Sequence, residues 1–285
     1  MLEMVQAGYR NRLTKIDDFV ASAAVAINSS EDAGEIAKSI IALNALGYDV
    51  KNMNIDKAKV NALEKLEERN ILSLSSSSPV MFALIAVDAG NFEISSEKCT
   101  REALVKKLLS LQTKDHGWTW MPLSEDPEAN IDMTGMALAA FAPYYLASDA
   151  KTAGLTEDTY NSVKSAVDAA IDTLSKKQGA NGSYGNTDTD AWVIVGLSSI
   201  GIDANTNDKF IKNGHGLYDG MFEYVLDDFS GFGWTNNKEL NAFATNDAFR
   251  ALIAYSNMKA TGKAYNVYAS DSSKATTPVS YTHLR

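Results

Sequence analysis

The chain has 285 residues, 45% of them hydrophobic, with 26 basic against 36 acidic side chains and a formal net charge of -10. That length supports one large core or two ordinary domains, and no run of Lys and Arg offers the clustered cations that a nucleic-acid surface needs. One cysteine, Cys99, leaves no intramolecular disulfide and no multi-thiolate zinc site, and three histidines leave no His-rich one.

The opening stretch, MLEMVQAGYRNRL, mixes acids and bases where a signal peptide would need an apolar core. Apolar residues then recur at helical spacing. They predict helices over 13–27, 31–46, 56–69, 79–88, 101–111, 132–147, 157–177, 190–200, 216–226 and 240–256. In 31–46, Ile36, Ile40, Ile41, Leu43 and Leu46 share one stripe. In 101–111, Leu104, Val105, Leu108, Leu109 and Leu111 do the same. The longest apolar run, VMFALIAV at 80–87, is far short of the roughly 20 residues of a membrane span. Pro143 interrupts an apolar helical pattern and is expected to kink or end that helix. No period-2 run is bounded by hairpin turns, so no sheet is expected and the fold class is all-α. The last seven residues, VSYTHLR at 279–285, resemble a translated sequencing-library adapter and are set aside, with His283 and Arg285.

The helices are of two kinds. Those at 56–70 and 162–178 are amphipathic and charged, whereas 81–90, 133–145 and 191–201 are apolar all round. A helix apolar on every side is buried on every side, so two concentric layers are expected. Several apolar helices also end alike, in MVQAGY at 4–9, LNALGYDV at 43–50, AVDAGNFEI at 86–94 and LSSIGIDAN at 197–205. Each places a glycine where a left-handed C-cap is wanted, the first three about 40 residues apart as in helical-hairpin repeats. A second series precedes the later apolar helices. It runs Gln112 with Gly117-Trp118-Thr119-Trp120, Gln178 with Gly182-Ser183-Tyr184, and Gly231-Phe232-Gly233-Trp234.

This glutamine, glycine and aromatic element resembles the repeat of prenyltransferases and squalene/terpene cyclases. The segments 189–224 and 231–255 are similar to the prenyltransferase-repeat module of bacterial surface proteins typical of gut Firmicutes. The resemblance covers about 1–270 and is weaker before 70. It implies an α/α toroid of the α6/α6-barrel type, with inner helices ringing a cavity and outer helices wrapping them. Residues 1–278 would form that one domain. Ten helices from residue 13 make five hairpins against the six of a closed ring, so a domain truncated at both ends is expected, with flanking domains of the same polypeptide missing. In such repeats the glutamine and aromatic brace the loop between outer and inner helix, which implies a structural role for Gln112, Gln178, Trp118, Tyr184 and Trp234.

The resemblance also raises the question of chemistry. A class II terpene cyclase protonates its substrate with the middle Asp of Asp-x-Asp-Asp. The nearest match is Asp188-Thr189-Asp190-Ala191, which lacks the final Asp, and N-capping explains Asp190 as well. Asp247 and Thr134 are read as occupying the corresponding repeat positions. Cys99 has no matching histidine for zinc, and His116 and His215 sit in glycine-flanked loops. Asp17-Asp18 and Asp227-Asp228 lack the further carboxylate that magnesium-diphosphate binding needs. No G-x-S-x-G and no phosphate loop is present. Neither a metal nor a cofactor is therefore expected, and no catalytic residue is assigned beyond the candidates Asp188 and Asp190.

A binding surface remains. The toroid mouth would gather the loops at 115–132, 179–190 and 229–247, which are rich in aromatics, amides and acids. Its candidate ligand-binding residues are Trp118, Trp120, Asp132, Tyr184, Asp190, Trp192, Trp234 and Asp247, with a small molecule, glycan or peptide as ligand. The leading expectation is a non-catalytic ligand-binding or adhesion module of a secreted or cell-surface protein, the location resting on resemblance. One alternative is a cyclase-like enzyme with Asp190 as general acid. The other is a corrinoid (cobalamin)-binding domain acting with a downstream domain, because the same scaffold occurs in cobalamin carriers.

Overall fold

The periodic apolar stripes fold as helices throughout the residues that the computed structural model describes, 1–55, 58–94, 99–121 and 127–269. Asp56 and Lys57, residues 122–126 and the tail 279–285 lie outside them. The chain divides into two compact units, Met1–Ser110 with the residues from Tyr268 on, and Leu111–Val267.

In the first unit α1 (Leu2–Gln6), α2 (Ile16–Ser29) and α3 (Ala33–Ala45) are followed by α4 (Ala62–Glu67), α5 (Ser77–Ala89) and α6 (Arg101–Ser110). Helix α3 packs against both α2 and α5. Asp32 caps α3 by accepting from Gly34 N at 2.7 Å, and its apolar stripe, Ile36, Ile40 and Leu43, is shut off from water. Helix α5 is buried nearly all round through Val80, Met81, Leu84, Ile85 and Val87. Pro79 stands in its first turn, where no intrahelical N–H is needed.

The repeated helix endings share one closure. Tyr9 N donates to Met4 O, Tyr48 N to Leu43 O, Phe92 N to Val87 O and Ile202 N to Leu197 O, the Schellman pattern. Gly8, Gly47 and Gly201 supply the left-handed residue, as expected. At the end of α5 it is Asn91 instead, at φ 47°, while Gly90 has φ -111°. A side chain at Gly90 would collide with the Phe92 ring, so that glycine serves packing rather than backbone handedness.

Two short hairpins correct the expectation of no sheet. In the first unit β1 (Met53–Ile55) pairs antiparallel with β2 (Ala58–Val60), Met53 opposite Val60. The helix expected over 56–69 therefore shrinks to α4, whose start is fixed by Asn61 accepting from Leu63 N at 3.1 Å. In the second unit β3 (Ile211–Lys212) pairs with β4 (His215–Gly216). Their turn is Asn213-Gly214, both at positive φ, which is the dipeptide that a type I′ hairpin prefers.

The second unit carries α7 (Ile131–Leu146), α8 (Ala150–Ala153), α9 (Glu157–Lys177), α10 (Thr187–Ser199), α11 (Leu217–Phe222) and α12 (Ala242–Thr261). Helix α10 packs on α7, α11 and α12, and α9 packs on α7. Helices α7 and α10 are buried on almost every side. Helix α9 turns only Tyr160, Val163, Val167, Ile171 and Leu174 and their small neighbours inward. Of the two expectations for Pro143, a kink or an end, the end does not occur, since α7 runs through it to Leu146. Proline deprives the Ala139 carbonyl of its i+4 donor, and Asn266 Nδ2 supplies a replacement at 3.0 Å.

Candidate functional site

In the second unit three loop-to-helix junctions are built alike. Asn130, Asn186 and Asn241 cap α7, α10 and α12 by accepting from Met133 N, Thr189 N and Ala244 N, at 2.9, 3.0 and 3.0 Å. The fourth residue of each helix then reaches back to the loop aromatic. Thr134 Oγ1 accepts from Trp118 N at 3.1 Å, Asp190 Oδ1 from Tyr184 N at 2.6 Å, and Thr245 Oγ1 from Phe232 N at 2.9 Å. Asp190 is thus a loop brace and Asn186 the cap, which corrects the capping assignment. The equivalent of Asp190 in α12 is Thr245, and Asp247 lies two residues farther on.

Gln178 braces the loop after its helix, whereas Gln112 bonds a carbonyl within α9. Gln178 Nε2 donates to Gly182 O at 2.7 Å and Phe210 O at 2.9 Å, and Gln112 Nε2 donates to Ala166 O at 3.1 Å. Trp118 is wholly buried, its ring 5.5 Å from that of Phe141. The Tyr184 hydroxyl donates to Leu174 O at 2.7 Å. The Trp118 ring is closed off, while Tyr184 is half-buried. Trp120 and Trp234, by contrast, are 59% and 52% exposed.

Helices α7 and α10 cross at two glycines. A methyl group on Gly135 would strike the backbone of Trp192 and Val193, and one on Gly196 would strike the backbone of Gly135. The crossing falls in the first half of α7 and the middle of α10, and Asp132 and Asp188, each the second residue of its helix, lie within electrostatic reach of each other. Helix α12 adds Asp247. Asp132 and Asp247 act on Asp188, which burial first, then Asp247, then Asp132, push up to about 6. Its Oδ1 is buried without a hydrogen-bond partner.

Two residues that the sequence did not single out complete the surroundings. Arg250 pairs with Asp247 at 3.1 Å and lies over the Trp192 ring at 4.9 Å, a cation–π distance. The spacing of Asp247 and Arg250, three apart on one helix, carried that signal. Glu223 accepts from Asn181 Nδ2 at 2.9 Å and adds negative charge near Asp190.

Asp190 is fully inaccessible and its carboxyl is pushed up to about 7. Burial is the main cause; the Ser183 hydroxyl and Tyr184 N–H favour the ionised form, while Glu223 and Asp132 oppose it. Among the described residues no group of three or more His, Cys, Asp or Glu could hold a metal ion. The Cys99 thiol is pushed up to about 11 by burial and then by Glu67, which is opposite to an activated thiolate. No helix among the described residues is long and apolar enough to cross a membrane.

Comparison with protein-family models, with curated proteins and with solved structures finds no match to the chain.

Proposed function

We propose that the chain is a non-catalytic ligand-binding module on the prenyltransferase-repeat plan, an α/α toroid with α5, α7 and α10 among its inner helices. The three like-built junctions support that plan. Its ligand would lie at the N-terminal ends of α7, α10 and α12. The observation that carries the reading is Asp188, half-buried within reach of two other acids and holding a carboxyl oxygen that no group among the described residues satisfies. A buried acceptor left without a donor costs about 1–3 kcal/mol, and a ligand bringing hydroxyl or ammonium donors removes that cost. Trp120 and Trp234 offer exposed ring faces in the loops that lead to these helices, suited to a sugar or a peptide side chain. By its resemblance, the module belongs to a secreted or cell-surface bacterial protein.

Calorimetric titration with panels of neutral oligosaccharides and cationic peptides tests the reading. Binding by the wild type should weaken at least tenfold in Asp188→Asn and in Trp192→Ala. Equal affinity in all three proteins would remove these residues from the site, and no heat with either panel would count against a donor-rich ligand.

The raised acids favour a second reading, cyclase-like acid catalysis. Asp190 is poorly placed for it, since its Oδ1 is engaged by the loop and its side chain is closed to solvent. Asp188 is the better proton donor, being half-buried and near neutrality. Incubation with polyprenyl substrates and mass spectrometry decides: a cyclised product that disappears in Asp188→Asn would establish catalysis, and its absence in the wild type would end this reading.

A further inference from the structure

Three helices solve one problem, holding the N–H of a loop aromatic, and two of them use threonine. Thr134 and Thr245 do it with a hydroxyl that both accepts and donates: Thr134 Oγ1 donates to Asn130 O at 2.7 Å and Thr245 Oγ1 to Phe232 O at 3.2 Å. At the third junction stands an acid that is wholly shut off from solvent, and its Oδ2 has no hydrogen-bond partner. A carboxyl adds one property that threonine lacks, a titratable proton.

We propose that Asp190 is a proton-operated brace: neutral, it holds the loop Asn181–Gly185 against the start of α10, and ionised, it draws in water and loosens that loop. The Ser183 hydroxyl and the Tyr184 N–H favour the charge through hydrogen bonds, but no cation is among the groups that act on it. Tyr184 lies in the loop itself, Glu223 and Tyr224 at the end of α11, Asp132 on α7 and Asp188 on its own helix. From α12, Asp247 acts on Asp188 and is paired with Arg250. The charges that act on Asp190 are those of two acids, Glu223 and Asp132, and Ser183, which shares a hydrogen bond of 2.9 Å with Tyr224 OH, is neutral. An ionised carboxylate buried without a counter-charge either reprotonates or pulls water to itself.

The direction follows from linkage. The folded chain binds the Asp190 proton more tightly than an unfolded chain, whose carboxylates titrate near pH ~4. Its contribution is therefore fully present below that range and declines as pH rises, until the folded group itself ionises at about 7. The loop should be tight in mild acid and loose in mild alkali.

Hydrogen exchange at the Tyr184 amide, corrected for intrinsic rate, tests this between about pH 5 and about pH 9. Protection in the wild type should fall about tenfold or more and level off above neutrality, and stay constant in Asp190→Thr, which copies the sibling junctions. An equal fall in Asp190→Thr, or no fall in the wild type, would overturn the proposal. Should the variant fold poorly, difference infrared spectroscopy of the wild type gives the same decision. A protonated-carboxyl band that titrates near neutrality and is absent from Asp190→Asn supports the brace. A fully ionised set of acids in mild acid refutes it.

Discussion

Tryptophans 118 and 120 stand two positions apart and were both candidates for a ligand contact, Trp118 also as an implied loop brace, yet they have opposite environments. Trp118 fills core beside Phe141 with no exposure, while Trp120 is mostly in solvent. Trp118→Ala should destabilise the fold by about 3–5 kcal/mol through cavity and transfer losses, and Trp120→Ala by less than about 0.5 kcal/mol. Urea denaturation separates the two, and similar losses would mean that Trp120 also packs. Asp188 carries a second prediction at this scale. Its carboxyl is raised, so the folded chain holds the proton more tightly and stability falls as pH climbs from about 4 to about 6. Asp188→Asn should flatten that part of the pH–stability curve without altering Tyr184 protection, which distinguishes it from Asp190. A curve that keeps its slope would show that Asp132 and Asp247 do not act on Asp188 as the geometry has it.

Among the elements, α7 shows best how a local defect is repaired from a distance. Pro143 was expected to kink or end the helix, and the periodicity that placed it could not show that Asn266, 127 positions from Ala139, would cover the Ala139 carbonyl. Asn266→Ala should cost about 1–3 kcal/mol, and less in a Pro143→Ala background, where the helix regains its own N–H. A double-mutant cycle in thermal or urea unfolding measures the coupling; additive losses would mean that Asn266 acts through other contacts alone. The long apolar helices were legible from the length of their apolar runs, since burial on all sides leaves them no amphipathic period. The hairpins were not, since two- or three-residue strands carry no period, and the Asn213-Gly214 turn signal stood without legible flanking strands. Likewise Gly135 and Gly196 were visible only as small residues in apolar helices. The crossing that needs them, and that brings Asp132 to Asp188, belongs to tertiary structure. Gly135→Ala should cost about 1–3 kcal/mol by overpacking.

Over the whole molecule, the repeats were the most informative feature, because a junction used three times tells structural parts from special ones. Two threonines at the sibling positions are what mark Asp190 as unusual, a comparison that the sequence permitted only once the register was known. The acids were legible as candidates; their mutual effect was not, because Asp132, Asp188 and Asp247 lie far apart in the chain and meet through helix crossings. They add to a chain whose net charge is -10, and such an excess works against the compact state. Opposing it are ion pairs such as Arg101 with Asp88 at 2.7 Å and Lys259 with Asp203 at 2.6 Å. These lie near the surface, where a pair contributes about 0–1 kcal/mol. Screening reaches both, but the unpaired excess is the larger sum. Raising ionic strength from about 0.01 M to about 1 M shortens the Debye length from about 30 Å to about 3 Å. It should therefore raise Tm at about pH 8, and raise it less at about pH 5, where Asp188 and Asp190 are already neutral. A Tm that falls with salt at about pH 8 would mean that the ion pairs, not the acidic excess, set the electrostatic balance of the fold.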